Sequence, residues 1–301
     1  MSIPFVRDMD FDYGEAQQVS PMIRRVIAEN PGAFTFTGTG VYIVGSGSVA
    51  VIDPGPMIEA HLEALKRTLD GETVSHVFVT HSHMDHSPLA HPLAQWAGCK
   101  VHAGGPAIPT ESEVRMEAGD DLSFKPDIEV SDGQRFEGEG WTIEAIATPG
   151  HTSHHFAYAL IEENACFTGD HIMGWSTTVI SPPDGDMGDY LHSLEKIRDR
   201  GFDTLWPTHG PPVDSDASGF VQAYIDHRRK REAAILARLK AGDRNIPDMV
   251  KTIYANVPKH LHPAACHSVL GHMIHLVKQG RVATGDAVPG VNSDYRLDER
   301  V

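Results

Sequence analysis

Two short apolar runs, Val41-Tyr42-Ile43-Val44 and Val49-Ala50-Val51-Ile52, flank Gly45-Ser46-Gly47-Ser48. β-Branched runs on either side of a glycine-rich turn predict a β-hairpin, and Asp53-Pro54-Gly55 ends its second strand. Residues 23–27 read as a short strand or helix before the turn Asn30-Pro31-Gly32. Leu62, Leu65 and Leu69 recur at helical spacing and predict a helix over 59–69. Residues 74–79 read as a buried strand. A helix then starts at Ser87-Pro88, with proline in the first turn where it is tolerated, and continues to residue 97.

Further strands are predicted over 100–103, 141–147, 156–161, 165–168 and 204–207, with a helix over 189–200. The pattern changes after Pro211-Pro212. A long helix over 218–240 is followed by helices over 246–254 and 263–279 and a terminal strand over 281–283. The chain thus divides into a mixed α/β (α+β) unit, 1–216, a helical C-terminal appendage, 217–286, and a loosely held polar tail, 287–301. Repeats and low-complexity tracts are absent from the sequence.

Composition narrows the class. The 301 residues are 41% hydrophobic and 22% charged, as in a soluble globular protein. No apolar run approaches the ~20 residues that span a bilayer. Residues 1–12 carry acids and lack the apolar stretch of a secretory signal, so the expected compartment is the cytoplasm. Three scattered cysteines, Cys99, Cys166 and Cys266, argue against a disulfide framework or a thiolate zinc site. A formal net charge of −16 disfavours broad polyanion binding. The 19 histidines point towards metal chemistry.

That chemistry concentrates in Thr80-His81-Ser82-His83-Met84-Asp85-His86, directly after the strand over 74–79. In an extended segment, residues two apart face the same side, so His81 and His83 can converge on one ion. Asp85 and His86 follow at the turn and can face a neighbouring ion. Three more candidates stand at predicted strand ends: His151, Asp170 and His209. An aspartate after glycine, or a histidine beside glycine or proline, is ordinarily a turn residue; here the cluster needs partners. The set suits two divalent ions about 3.5–4 Å apart, bridged by a carboxylate and a hydroxide.

These residues resemble the signature of the metallo-β-lactamase superfamily, H-x-H-x-D-H with a later histidine, a bridging aspartate and a final histidine in that order. The resemblance covers residues 35–215. It implies an αββα sandwich with the metals at one edge of the sheets. By the same resemblance His81, His83 and His151 hold one ion, Asp85, His86 and His209 hold a second, and Asp170 bridges them. Asp53 matches an aspartate that supports the ligands in that family. The implied cofactor is Zn2+, two per chain, with iron or manganese compatible. His171, next to Asp170, and His154 or His155, after His151, are candidates for contact with substrate or ligands.

The implied activity is hydrolysis of an ester, thioester, lactone, lactam or phosphodiester by a metal-bridging hydroxide, with Asp85 as the catalytic carboxylate. Asp170 argues against a dedicated β-lactamase. The segment 30–45 resembles the group that holds the β-lactamase-like endoribonuclease of animal mitochondria and thioesterases acting on carrier-protein polyketides. It departs from that group at Gly40-Val41, where Asn-Thr is usual. The segment 176–179, residues 224–228 and a winged-helix-like C-terminal appendage resemble it too. The basic run Arg228-Arg229-Lys230-Arg231 could touch phosphates or, as in glyoxalase II, glutathione. A small-molecule or acyl-thioester substrate is expected. Single-stranded RNA, cleaved by a single-strand-specific endoribonuclease, is the alternative, although aromatics are only 7% and do not interleave with basic residues. A third reading is a mononuclear iron persulfide dioxygenase using His81, His83, His151, Asp170 and water. No membrane association is expected, and a homodimer is the default assembly.

Overall fold

The structure, a computed structural model, describes residues 3–107 and 119–298. Among these residues, two β-sheets pack face to face with helices on both outer surfaces. The first sheet runs in chain order through β1 (Ala16–Gln18), β2 (Ile23–Ile27), β3 (Gly40–Ser46), β4 (Ser48–Ile52), β5 (Thr73–Phe78), β6 (Lys100–Ala103) and β7 (Ile128–Glu129). Its strands are antiparallel up to β4 and parallel beyond. The second sheet comprises β8 (Arg135–Glu137), β9 (Thr142–Ala147), β10 (Phe156–Leu160), β11 (Ala165–Gly169) and β12 (Thr204–Pro207), with β12 at one edge beside β11.

The predicted hairpin is β3–β4, closed through Gly47 at φ +74°. Along β3, Tyr42 and Val44 enter the core between the sheets, while Val41 and Ile43 enter the core beneath helices α1 (Glu59–Thr68) and α2 (Ala90–Ala97). Successive side chains alternate between faces. Both faces are covered, so the run reads as continuously apolar rather than alternating. Helix α3 (Met187–Arg200) and the first half of α4 (Ala217–Lys240) cover the outer face of the second sheet. The result is the expected αββα sandwich.

The second half of α4 packs elsewhere. Ile235 and Leu239 share a separate core with α5 (Ile246–Ile253), α6 (His262–Lys278), β13 (Val282–Thr284) and β14 (Tyr295–Leu297). Helix α4 is therefore common to both cores: its Phe220, Val221, Tyr224 and Ile225 belong to the sandwich. No helix among the described residues is long and apolar enough to cross a membrane.

Three local expectations change. Residues 23–27 form a strand, because both of their edges pair, with β1 and with β3. Helix α2 starts at Ala90 instead of Ser87. Pro92, not Pro88, occupies its first turn, and a longer helix would require an N–H that Pro92 lacks. Ser87 is instead occupied by the preceding loop, its Oγ donating to Ser82 O (3.1 Å) and to His83 O (3.2 Å). The tail, as far as residue 298, is not loosely held. β14 pairs antiparallel with β13, which is consequently not terminal, and Tyr295 is fully buried with its hydroxyl donating to Gly290 O at 2.7 Å. A three-residue strand in a polar run carries no periodicity to detect. Residues 299–301 of that tail lie outside the described residues.

Tyr295→Ala should destabilise the C-terminal unit by about 3–5 kcal/mol, the range for truncating a large buried aromatic. Chemical denaturation followed by far-UV circular dichroism checks this, and an unchanged midpoint would mean that the tail is not integral to that unit.

Candidate metal centre

The loops after β4, β5, β9, β11 and β12 meet at one end of the sandwich and bring all seven sequence-selected ligands together. His81 Nε2 and His83 Nδ1 lie 2.8 Å apart, close enough for one proton or one cation to join them. The His151 ring packs against both, with centroids 4.9 Å away. Asp85, His86 and His209 form a second group: His209 Nε2 is 3.2 Å from Asp85 Oδ2, and His86 Nε2 is 3.7 Å from Asp85 Oδ1. In each group the three donor atoms lie within 4.8 Å of one another. Asp170 stands between the groups. Its Oδ1 is 3.4 Å from His209 Nε2 and 3.6 Å from His86 Nε2, while its Oδ2 is 4.0 Å from His151 Nε2.

The outer ring nitrogens decide which way these imidazoles point. His86 Nδ1 donates to Asp53 Oδ2 (2.9 Å), His151 Nδ1 to Val179 O (2.8 Å) and His209 Nδ1 to Gly38 O (3.1 Å). Acceptors at Nδ1 fix the tautomer and turn the Nε2 lone pair inward. The fully buried Asp53 carboxylate also accepts from Thr80 N, Thr80 Oγ1 and Thr208 Oγ1 at 2.8–2.9 Å. Thr80 Oγ1, having donated to Asp53, accepts from His81 Nδ1 at 3.0 Å. One carboxylate thus supports two ligands. Asp53 itself sits at φ +50°, a left-handed conformation that aspartate tolerates better than most residues.

Sequence reading missed Thr80 and Thr208. Their signal was present: each immediately precedes a ligand histidine at a strand end. It missed Asp120 as well, whose Oδ1 lies 3.7 Å from His83 Nε2.

The electrostatics divide the two groups. Burial, reinforced by neighbouring histidines, pushes His81 well below its ordinary pKa and His83 down to about 3. His151 is lowered too, by burial against the opposing pull of Asp170. The other group behaves oppositely. Burial disfavours charge on His86 and His209, but Asp85 and Asp170 outweigh it and raise both. Reciprocally, burial would raise the two aspartates, yet the facing histidines hold Asp85 well below the carboxylate range and Asp170 at about 2. Asp85 Oδ1, His86 Nε2, Asp170 Oδ1 and His209 Nε2 are all buried without a hydrogen-bond partner. Buried polar atoms left so are rare. Imidazole nitrogens with carboxylate oxygens are a donor set that fits divalent cations.

The remaining histidines lie behind the centre. His154 Nε2 accepts from Ser82 N (3.2 Å) and approaches Ser82 Oγ (2.9 Å), bracing the His81–His83 loop. His155 Nδ1 pairs with Thr148 Oγ1 at 2.8 Å. His171 is fully buried against Tyr190, ring centroids 4.8 Å apart, and burial lowers it to about 3. None of the three lines the cavity over the centre.

The basic run does not line the cavity over the centre, although Arg229 and Lys230 are exposed. Arg228 is buried, donates to Thr178 O and lies over the Tyr190 ring. Arg229 pairs with Glu195 at 2.8 Å, and Arg231 stacks on Tyr254 at 4.1 Å. Arg228 acts on the site from a distance: it holds the carbonyl next to Val179, the residue that receives the His151 N–H.

A cavity of about 120 Å³ opens onto His83, Asp85 and Asp170. Phe34, Met173, Trp175 and Val179 give it apolar walls, with Ser176 and Thr177 beside them. The turn that carries Phe34 is tied twice to the Asp85–His86–His209 group: Gly38 O receives His209, and Thr39 Oγ1 donates to Asp85 O at 3.0 Å. Gly40, where Asn-Thr was expected to begin, brings its backbone against the final ligand loop, its N–H donating to Thr208 O at 2.8 Å.

Residues 35–209 match the family described as the metallo-beta-lactamase superfamily. The chain belongs to that superfamily. Residues 246–288 match the beta-lactamase associated winged helix domain, which covers most of the predicted appendage. The chain is 33% identical over 277 residues to a beta-lactamase-like protein 2 homolog of Caenorhabditis elegans, covering 88% of each. It is 28% identical over 298 residues to an atrochrysone carboxyl ACP thioesterase of Aspergillus chevalieri, covering 95% of this chain and 91% of that one. A beta-lactamase domain protein from Burkholderia ambifaria shares the fold, with a TM-score of 0.78 at 18% identity over 96% of this chain and 95% of the other. This superfamily member is a metal-dependent hydrolase with a His/Asp metal-binding cluster.

Two outcomes follow for metal binding. An ion entering the Asp85–His86–His209 group must displace protons that the raised pKa values retain, whereas the His81–His83–His151 group is already neutral at pH 7. Calorimetric titration of metal-free protein between pH 6 and 8 should therefore show one nearly pH-independent ion. A second should strengthen with pH by up to about tenfold per unit for each proton released. Asp53→Asn removes the acceptor that orients His86 and should weaken the pH-dependent ion by about 10–100-fold; equal affinity in the variant would show that Asp53 does not tune the site.

Proposed function

We propose that this chain is a dinuclear zinc hydrolase of acyl thioesters on small molecules or carriers. The observation that carries the reading is the second donor group. Asp85, His86 and His209 stand together beside the three-histidine group, with Asp170 offering one oxygen to each. A single-ion dioxygenase would leave that second set without an ion. In this assignment His81, His83 and His151 hold one ion, Asp85, His86 and His209 hold the other, and Asp170 spans both. When bound, two divalent ions supply Lewis acidity toward an acyl oxygen and lower the pKa of a coordinated water.

The chain's own groups do the rest. Asp53 and the carbonyls of Gly38 and Val179 keep the imidazoles aimed, so little reorganisation is needed during reaction. Asp85 Oδ1 has no hydrogen-bond partner and orients the attacking water. As a carboxylate within reach of the centre it accepts a hydrogen bond from that water and passes the proton on to the leaving sulfur. The water oxygen bonds to the acyl carbon, the C–S bond breaks, and the sulfur departs as the thiol. Phe34, Met173, Trp175 and Val179 exclude solvent around the acyl group.

The thioester preference is supported by the cavity walls and by the thioesterase relatives. Among the described residues no lysine or arginine lines the cavity, and the basic run of α4 is already engaged. Both features weigh against a polyphosphate substrate such as RNA. Domain 217–286 is assigned a supporting role, with α4 as the strut through Arg228.

Metal analysis of protein purified without added metal should give about two zinc ions per chain, as the two donor groups require. One iron with oxygen consumption would overturn the reading. Against a panel of thioester, lactone, lactam, bis-aryl phosphodiester and single-stranded RNA, the thioester should be cleaved best, and chelation should abolish cleavage. Asp85→Ala should lower kcat by at least about 10²-fold, the scale of a lost proton-handling group; full activity in that variant would remove Asp85 from the mechanism.

A further inference from the structure

We propose that the site selects thioesters whose acyl group carries a single flat ring, seated against an aromatic wall formed by Trp175 on Phe36 and closed at the mouth by Phe34. This rests on the hydrolase reading above and adds the substrate class.

The first argument is size. The cavity measures about 120 Å³. A closed cavity of about 150 Å³ holds a whole benzene; this one is smaller and open at its mouth, so at most one ring seats against its walls, and an extended alkyl chain projects beyond them. The second is the wall. The Phe36 and Trp175 rings stack with centroids 4.9 Å apart and planes at 19°. Trp175 lines the cavity, and Phe34, 43% exposed, stands at its rim. Aromatic pairs favour offset or edge contacts, so a flat acyl ring gains most from such a surface.

The third argument is rigidity. A Cβ at Gly210, beside the ligand His209, would lie 2.9 Å from Trp175 Cδ1, so the indole is packed directly against the ligand loop. Gly174 N donates to His209 O at 3.3 Å from the same side. On the opposite side Phe36 adopts φ +56°, a region that bulky residues avoid. The turn holds it there with two reciprocal backbone bonds, Gly32 N to Phe36 O (3.1 Å) and Phe36 N to Gly32 O (3.0 Å). Asn30 clamps the base of the turn through Thr39 N at 2.9 Å and Thr39 Oγ1 at 3.0 Å. Backbone strain persists where the surroundings over-determine it, and it clusters at ligand clamps. Here it fixes the ring that backs Trp175. The wall is therefore preformed, and a bound ring loses little entropy in ordering it.

The test compares S-benzoyl, S-acetyl and S-decanoyl thioesters of N-acetylcysteamine, with the zinc-loaded enzyme and its Trp175→Ala, Trp175→Phe and Trp96→Ala variants. Trp96 is an exposed tryptophan on α2 and serves as the control. Wild type should prefer benzoyl over decanoyl in kcat/KM. Trp175→Ala should lower the benzoyl-to-acetyl ratio of kcat/KM by about tenfold or more, the scale of a lost apolar contact, with the change in KM. Trp175→Phe should restore the ratio, and Trp96→Ala should not alter it. Calorimetry with the non-cleavable S-benzyl thioether should show the same tenfold weakening in Trp175→Ala. A preference for decanoyl, or equal losses for acetyl and benzoyl, would overturn the aromatic wall. If no thioester is cleaved, the thioester reading fails; the wall then stands or falls on whether S-benzyl thioether binding depends on Trp175.

Discussion

The Asp53 carboxylate accepts four hydrogen bonds within 2.9 Å, from Thr80 N, Thr80 Oγ1, Thr208 Oγ1 and His86 Nδ1. Three strand ends meet there: β4 supplies the aspartate, β5 supplies Thr80, and β12, from the opposite sheet, supplies Thr208. An unpaired buried carboxylate is expensive. Its cost is offset only if all these groups stay in register, so the edge of the sandwich is locked where the metal ligands emerge. Asp53 reaches His86 directly and His81 through Thr80, and both donor groups inherit their geometry from it.

Around that lock the ligands form two electrostatic environments within a few ångströms. The three-histidine group is neutral because burial and mutual repulsion expel protons. The Asp85–His86–His209 group and Asp170 retain charge of both signs and neutralise one another. In the second group Asp85 Oδ1, His86 Nε2 and His209 Nε2, with Asp170 Oδ1 beside them, remain without hydrogen bonds. Divalent cations would satisfy those atoms.

The centre is also held from outside the sheets. The turn over 30–39 reaches His209 through Gly38 and Asp85 through Thr39, and it carries the phenyl groups of the cavity mouth. Helix α4 reaches inward through Arg228 to the segment that receives His151. The same helix runs on into the C-terminal core; Arg228 is buried and Arg231 stacks on Tyr254, while Arg229 pairs with Glu195 at the surface. In sequence those residues look like a polyanion-binding run, because charge patterning cannot tell a solvated face from one packed against α3 and α5.

The sequence by itself determined the chemistry and most of the architecture. His81, His83, Asp85 and His86 lie within one loop, where the spacing of two residues lets His81 and His83 converge. The apolar runs of β3, β4 and β10 are long enough to betray strands buried on both faces. Tertiary structure alone decided what depends on contacts between distant segments. The Asp53–Thr208 bond spans 155 positions in the chain, and no local pattern encodes it. The pairing of β14 with β13, the burial of Arg228 and the stacking of Phe36 on Trp175 are of the same kind. Each is set by which surfaces the folded sheets bring together, and a side chain's identity states only what it can offer there.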